Sequence, residues 1–553
     1  MTEIPVLATL DETTDLPEEE RLRLFVQQQQ AIIGLLAEQN QALEKQVKQL
    51  TERISQLEEE LRQKKKLSKK PQLKASKLNQ GIESQQQSSK RPGSAKRSKK
   101  QGFVVNEERK IELEELPEGA RFNGYREYDV QELCIKRNNI RFLLAEYVLE
   151  DGSVICAQLP PEYSLTGHYG PELVGYILHE HYQNRVPQPL IYQQLKDWGI
   201  DISVGQVNRI LTEKLEEFHQ EQASVLETGL GYSNYIHTDD TGARQGGKNG
   251  YCTVIGNEWF SYFASTLSKS RSNFLEQLHG NKPSYVLNEC SRKYLQSYKL
   301  GKKQWKVLEF DSKVLANSTQ AWNQYLDSIG IVTPLAVRLV TEAALLGGLI
   351  EGGVSQKLVI LSDGAGQFNL LVHALCWVHA ERAIRKLEGS TAVFRQNIEE
   401  VQTLLWDYYQ ELKTYPKTPS DQYKKYLWAR FDEVFGRCYL QHPTLNNTLM
   451  GFRKNKKQLL RVLDDPDIPL HNNAAESDIR EFVTRRKISG GTRNDVGRKA
   501  RDTMVGLKKT CRKLGVCFWD YLLSRLRGDH SIPSLPELIK HKSMEHLQVG
   551  NPV

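Results

Sequence analysis

An α/β fold is what this sequence predicts, and three stretches carry the prediction. "KLVILSDGAGQFN" (357–369) holds Leu358, Val359, Ile360 and Leu361, an unbroken apolar run of the kind found in a central parallel strand. The run ends on Asp363, and Gly364 frees the backbone to turn. "YSNYIHTDDTGAR" (232–244) reads as a second short strand ending in acids, Asp239 and Asp240. "IPLHNNAAESDIREFVTRRK" begins a helix near Asn473 with Glu476 in its first turn. Ligands of open α/β sheets bind outside the carboxyl ends of the strands, where both strand acids are expected.

The elements between these stretches fix their order. After the first acids, "GYCTVIGNEWFSYFAST" reads as two strands around the turn Gly256-Asn257, and "SRSNFLEQL" begins a helix. Strand with acid, hairpin, helix and a later strand with acid is the order of a ribonuclease-H-like sheet. A long helical stretch, about 380–460, precedes the third acid. Glu476 has two readings. With Asn473 as N-cap it completes a capping box. It also shares a helix face with Ile479 and Val483, which are expected to pack on the sheet and so aim the carboxylate at the sheet edge. Strand alternation sends Asp239 and Asp240 to opposite faces, so Asp240 is the alternative first acid.

Composition bounds the rest. With 553 residues several domains are expected, and 39% hydrophobic content suffices for a buried core. Eight scattered cysteines suit a reducing compartment. The start "MTEIPVLATLDETTD" lacks the features of a signal peptide, and the most apolar stretch, "TPLAVRLVTEAALLGGLIEGG", is interrupted by Arg338 and Glu342. A soluble cytoplasmic protein with no membrane span is expected.

The formal net charge of +7 is concentrated. Residues 1–64 read as a coiled coil with Leu22, Gln29, Leu36, Leu43, Leu50 and Leu57 at d, and Val26, Ile33, Asn40, Val47, Ile54 and Leu61 at a. Ten of these twelve seam positions are apolar, and a single Asn at a fixes register in a two-stranded parallel pair. A homodimer or higher oligomer follows. Residues 65–101, together with Lys64, form a Lys- and Ser-rich linker that cannot bury a core; Lys64, Lys65 and Lys66 are candidates for contact with a phosphate backbone. Residues 102–160 are expected to be a small β-rich segment with a hairpin turning at Asp151-Gly152. Residues 161–225 are expected to be helical. "VPQPLIYQQLKDWGIDISVGQVNRILTEKL" has the form helix, Gly199 turn, Ser203 cap, helix, compatible with a DNA-reading helix-turn-helix.

Three convergent carboxylates point to phosphoryl transfer. Two Mg²⁺ ions can activate an attacking oxygen and stabilise a leaving one, and hard Mg²⁺ prefers carboxylate oxygen. Asp239, Asp363 and Glu476 are the candidate ligands, with Mn²⁺ able to substitute.

Four stretches together resemble the bacterial insertion-sequence sixty-six family of transposases, which carry an Asp-Asp-Glu site. They are "HTDDTGA", "SDGAGQFN" followed by "CWVHAERAIRKL", "NNAAESDIREFVTRRKISGGT" and "GLKKTCRKLGVCFWDYL", spanning roughly 230–525. The resemblance implies a ribonuclease-H-like catalytic domain over 226–530, with inserts near 280–355 and 390–465, and a C-terminal tail over 531–553. It implies metal-dependent cleavage at terminal inverted repeats of double-stranded DNA, then attack of the freed 3′-hydroxyl on target DNA. Accessory proteins of the same element are candidate partners, and association with the bacterial nucleoid is expected. His379 would approach the scissile phosphate or orient an acid, although with Cys376 it could equally pack under the sheet. Arg485, Arg486, Lys487 and Arg493 would track DNA phosphates. The chain departs from the family where a cysteine zinc module is usual: only Cys134 and Cys156 stand there, so no zinc is expected. Two other readings use the same segments, a DNA-binding regulator on an inactive scaffold and a metal-dependent nuclease without strand transfer.

Overall fold

The computed structural model describes residues 104–549, apart from 112–119, 131, 132, 134, 165, 166, 281, 299, 388–390 and 441, together with isolated positions between 20 and 41. Lys64, Lys65 and Lys66 lie outside the described residues, as do most heptad positions. Val26 and Ile33, both assigned to a, are helical and exposed. The chain divides into two compact units, 1–130 and 131–553. Within the first, the rings of Phe122 and Tyr125 meet at 5.1 Å and Lys110 lies over Tyr125.

The second unit begins with the hairpin read from Asp151-Gly152. Strands β1 (Glu146–Val148) and β2 (Val154–Cys156) pair antiparallel around it. Gly152 has φ +79°, and Asp151 Oδ1 accepts from the Ser153 N–H at 2.9 Å. Among the described residues of 102–160 these are the only strands, so the expected β-rich segment reduces to one hairpin. Its residues are all exposed, and without a core to pack on the ladder does not propagate.

Helices α1 (Pro171–Tyr182), α2 (Gln188–Asp197) and α3 (Val204–Thr212) follow. The α2–α3 pair has the expected form: Gly199 turns with φ +73°, and Ser203 Oγ accepts from the Gln206 N–H at 3.1 Å, capping α3. Ile191, Leu195, Val207 and Leu211 are buried, whereas Leu190 is exposed. Helix α4 (Glu216–Gly231) leads into the sheet.

That sheet has five strands in the order β5-β4-β3-β8-β9: β3 (Tyr235–Gln245), β4 (Lys248–Gly256), β5 (Ser261–Thr266), β8 (Val359–Ser362) and β9 (Val372–Leu375). β3, β4 and β5 are antiparallel neighbours, while β3, β8 and β9 run parallel. β8 is buried throughout, as its apolar run requires.

Between β5 and β8 lie α5 (Arg271–Leu278), the short strands β6 (Tyr285–Val286) and β7 (Val314–Ala316), α6 (Glu289–Gln296) and α7 (Pro334–Glu351). The apolar stretch that contains Arg338 and Glu342 is α7. Among the described residues no helix is long and apolar enough to cross a membrane. After β9, α8 (Trp377–Arg385) precedes a helical insertion, α9 (Ala392–Thr414), α10 (Asp421–Phe435) and α11 (Pro443–Lys454), with its own core around Trp377, Tyr408, Phe431 and Phe435.

Helices α12 (Asn473–Ser489) and α13 (Asp495–Leu514) then return to the sheet. Ala475, Ile479 and Phe482 of α12 and Val505 of α13 pack with Ala243, Cys252, Val254 and Phe263 on one sheet face. Helix α14 (Phe518–Arg527) packs on α1. The segment set apart as a tail holds α15 (Leu535–Val549), which packs on α4 with Leu535 and Ile539 buried.

Candidate active site

The first two acids are positioned by where strands stop. β3 pairs in parallel with β8 only over Tyr235↔Val359, Ile236↔Ile360 and His237↔Leu361. Beyond His237, β3 continues against β4, with Asp239 opposite Val254 and Asp240 opposite Thr253. The acids therefore sit inside an eleven-residue strand rather than at its end. What ends there is the parallel neighbour, and its departure opens the edge to polar side chains. Asp363 is the residue after β8. Its Oδ1 accepts from the Ala365 N–H at 2.9 Å, and Gly364 has φ +99°, the turn read from the sequence.

Alternation separates the adjacent aspartates. Asp239 lines a cleft with His379, Arg382, Glu476, Ile479, Arg480 and Val483. Asp240 Oδ2 instead accepts from Gln367 Nε2 at 2.7 Å.

Glu476 does not complete a capping box. The residue at the N-cap is Asn472, one earlier than expected, and it makes no side-chain cap bond. The Glu476 carboxylate is turned to α8, where Arg382 Nη1 donates to Oε1 at 3.0 Å and Nη2 to Oε2 at 3.1 Å. A two-point charged pair is stronger than a neutral cap bond, and it directs the side chain away from its own backbone. His379 Nε2 lies 3.7 Å from Glu476 Oε1 and 3.1 Å from Arg382 Nη1. Burial and then Arg382 hold the imidazole below its usual pKa, so it is neutral and accepts from the guanidinium. Cys376 is buried just before α8, and its Sγ accepts from the Asn472 N–H at 3.2 Å.

Asp239 carries the strongest electrostatic signature of the cleft. Burial raises its pKa to about 7; the Asp240 N–H bond opposes this, and the charges of Asp363, Asp240 and Glu476 add to it. Burial also raises Asp240, with Lys269 acting in the opposite direction. The acids thus feel one another as an excess of negative charge. Their oxygens are the hard donors that a divalent cation takes. Among the described residues, however, no three His, Cys, Asp or Glu side chains come close enough to hold a metal ion together, and Glu476 is engaged by Arg382.

Residues 344–500 match the family described as Transposase IS66 family. That span contains β8, Asp363, α8 and Glu476. An uncharacterized protein, y4jO of Sinorhizobium fredii, is 40% identical over 323 residues, which is 58% of this chain and the whole of the relative. The chain belongs to the IS66 transposase family. A transposase-type function follows from that membership.

The basic residues of this IS66-family chain divide by environment. Lys487 and Arg493 are exposed. Arg486 is half-buried, and its Nη1 donates to the Gly242 carbonyl. Arg485, expected among the phosphate-tracking residues, is only 7% exposed. Its guanidinium donates to the carbonyls of His181 and Tyr182 and lies over the Tyr182 ring, so it serves the interior and not the surface.

Three buried arrangements escape sequence reading. Asn472 is fully buried, and its Nδ2 donates to the Thr238 carbonyl at 2.9 Å, tying the start of α12 to β3 beside Asp239. Asp478 accepts from Ser261 Oγ at 2.6 Å and Lys513 Nζ at 2.7 Å. Burial would raise it, but His237, Lys513 and Ser261 outweigh that and hold it far below its usual range. Glu481 binds Arg185 and, at 2.7 Å, Lys508 Nζ; against its burial these cations lower it to about 2. These partners lie up to 296 residues away, and only the proximity of Asp478, Glu481 and Arg485 on one helix hinted at a charged buried face.

Proposed function

We propose that the protein is a DNA transposase that cleaves transposon ends and joins them to target DNA by metal-dependent phosphoryl transfer, with Asp239, Asp363 and Glu476 as the acids that hold two Mg²⁺ ions or Mn²⁺ in their place. The observation that carries this reading is Asp239 in one cleft with Glu476, its carboxyl raised by burial and by the charge of Asp363, Asp240 and Glu476. Among the described residues no cation pairs with Asp239 in this cleft, and its carboxylate is the type of hard donor that a divalent cation takes. The strand order supports a ribonuclease-H-like core, and the cleft side of β3 favours Asp239 over Asp240 as the first acid.

When bound, the ions polarise the phosphodiester and activate the attacking oxygen. The chain's own residues do the rest. Asn472 holds the start of α12 against β3, and the Cys376 Sγ ties the start of α8 to the start of α12. Neutral His379 orients the guanidinium of Arg382. Arg382 neutralises Glu476; were this carboxylate to hold a cation, the guanidinium would be available to a phosphate oxygen. The exposed Asn208 and Arg209 of α3 and the exposed Lys487 and Arg493 are the candidate contacts to double-stranded DNA, and the heptads of 1–64 support a homodimer.

The test is cleavage of a labelled duplex carrying the terminal repeats of the element that encodes the protein, with Mg²⁺, Mn²⁺ or chelator. Asp239→Asn, Asp363→Asn and Glu476→Gln should each lower cleavage by at least about a thousandfold while duplex binding persists, and the losses should not add. Cleavage near wild type in any one of them removes that acid from the site. Active Asp239→Asn with dead Asp240→Asn would exchange the first acid.

A further inference from the structure

The 280–355 insertion has no part in the site described so far, yet it holds α5, the helix just before it, which reaches the loop that carries the second acid. α5 touches that loop at two points. Arg271 Nη2 donates to the Gly366 carbonyl at 2.8 Å, and the Phe274 ring meets Phe368 edge-on at 4.9 Å. Gly366 lies between Asp363, whose Oδ1 holds the Ala365 N–H, and Gln367, whose Nε2 holds Asp240. A shift of the Gly366 carbonyl therefore moves groups on both sides of the cleft edge.

Arg271 is itself held by the insertion. Its Nη1 donates to the Tyr298 hydroxyl at 2.6 Å and the Tyr294 hydroxyl at 3.2 Å, and lies 3.7 Å from Glu342 Oε2. The Tyr294 hydroxyl donates to the same Glu342 oxygen at 2.6 Å. Glu342 is 3% exposed, in the middle of the largely apolar helix α7. A carboxylate at such a position is costly unless paired, and its pairing with Arg271 explains why it is there.

We infer that the insertion is a brace for the active-site loop, and that Arg271, clamped by Glu342, Tyr294 and Tyr298, is a positioning residue that sets where Asp363 and Gln367 stand. This rests on the proposed role of Asp363 as a metal ligand. A displaced loop lowers the affinity for the cation without touching the ligands themselves.

The experiment measures the Mn²⁺ concentration for half-maximal cleavage, together with Mn²⁺ binding by calorimetry without DNA, on the full chain. Arg271→Gln and Glu342→Gln should each weaken both about tenfold, with duplex affinity unchanged. Arg271→Lys should recover part of the loss. Tyr298→Phe removes one hydrogen bond while keeping the ring, and should fold normally with a shift of about threefold in the same direction. If Tyr298→Phe and a folded Arg271→Gln both keep the wild-type Mn²⁺ dependence, the insertion only supports the fold and the inference fails. If Asp363→Asn binds Mn²⁺ as tightly as wild type, the metal-site reading fails first, whatever Arg271 does.

Discussion

Arg382 and Glu476, 94 positions apart, face each other through two parallel N–H···O bonds of 3.0 and 3.1 Å, so one of the two acids that line the cleft is neutralised by a cation from the chain itself. On the proposed reading, a metal ion and this guanidinium would compete for one carboxylate. Arg382→Gln should therefore strengthen Mn²⁺ binding in the absence of DNA roughly tenfold, equivalent to about 1.4 kcal/mol. Calorimetric titration of the DNA-free protein measures this directly. Unchanged or weaker binding would show that the pair does not compete with the ion.

Asp239 makes stability depend on pH in a defined direction. Its carboxyl ionises near pH 4 in the unfolded chain and near pH 7 in the folded one. Between those values the folded state holds the extra proton, so stability falls as pH rises through this window. Asp239→Asn removes the burden of a buried charge while keeping an acceptor for the Asp240 N–H. In chelator, the variant should melt higher than wild type at pH 8, by about 2–4 °C, and show little gain at pH 4. An equal gain at both values would point to packing instead of charge.

Glu481 predicts the opposite slope. Arg185 and Lys508 lower its pKa to about 2 despite its burial, so the stabilisation is complete above the unfolded value near 4.5 and is lost as pH falls towards 2. Glu481→Gln leaves Lys508 and Arg485 buried without their carboxylate, and should cost about 3 kcal/mol in urea unfolding at pH 7. A change below about 0.5 kcal/mol would mean that water reaches these cations.

The parts of this architecture that could be read in the sequence are those written in adjacent residues. β8 was legible because an unbroken apolar run buried on both faces has few other fates, and Asp363 because it ends that run. The Ser203 cap and the Gly199 turn are local chemistry and stand where expected. The length of β3 was not legible, because its continuation depends on β4 and not on its own residues. The true cap at Asn472 was hidden by an adjacent asparagine of equal propensity. Arg382 could be placed on a helix, but its partner could not, since nothing local says which of many acids a guanidinium meets. Arg485 misled for the same reason: in a basic run a buried arginine looks like its exposed neighbours, and only the carbonyls of His181 and Tyr182 distinguish it. The 280–355 insertion gave no local sign of purpose, because its link to the site passes through α5, the helix before it.

The Glu481 network has a consequence for how such a protein can be rebuilt or diverge. Arg185, just past α1, reaches across to α12, the helix that bears Glu476, and Arg485 of α12 holds the last carbonyls of α1 in return. The helical segment expected to read DNA is thus grafted onto the helix that bears Glu476 by charges that meet in a mostly buried network, with Glu481, Arg485 and Lys508 inside it and Arg185 at its rim. An exchange of residues 161–225 for a segment of different specificity would strand those charges unless Arg185 and the end of α1 travelled unchanged. Retargeting by cassette is therefore expected to succeed at α2 and α3 and to fail at α1, which makes the seam for recombination lie inside the apparent DNA-reading domain and not at its border.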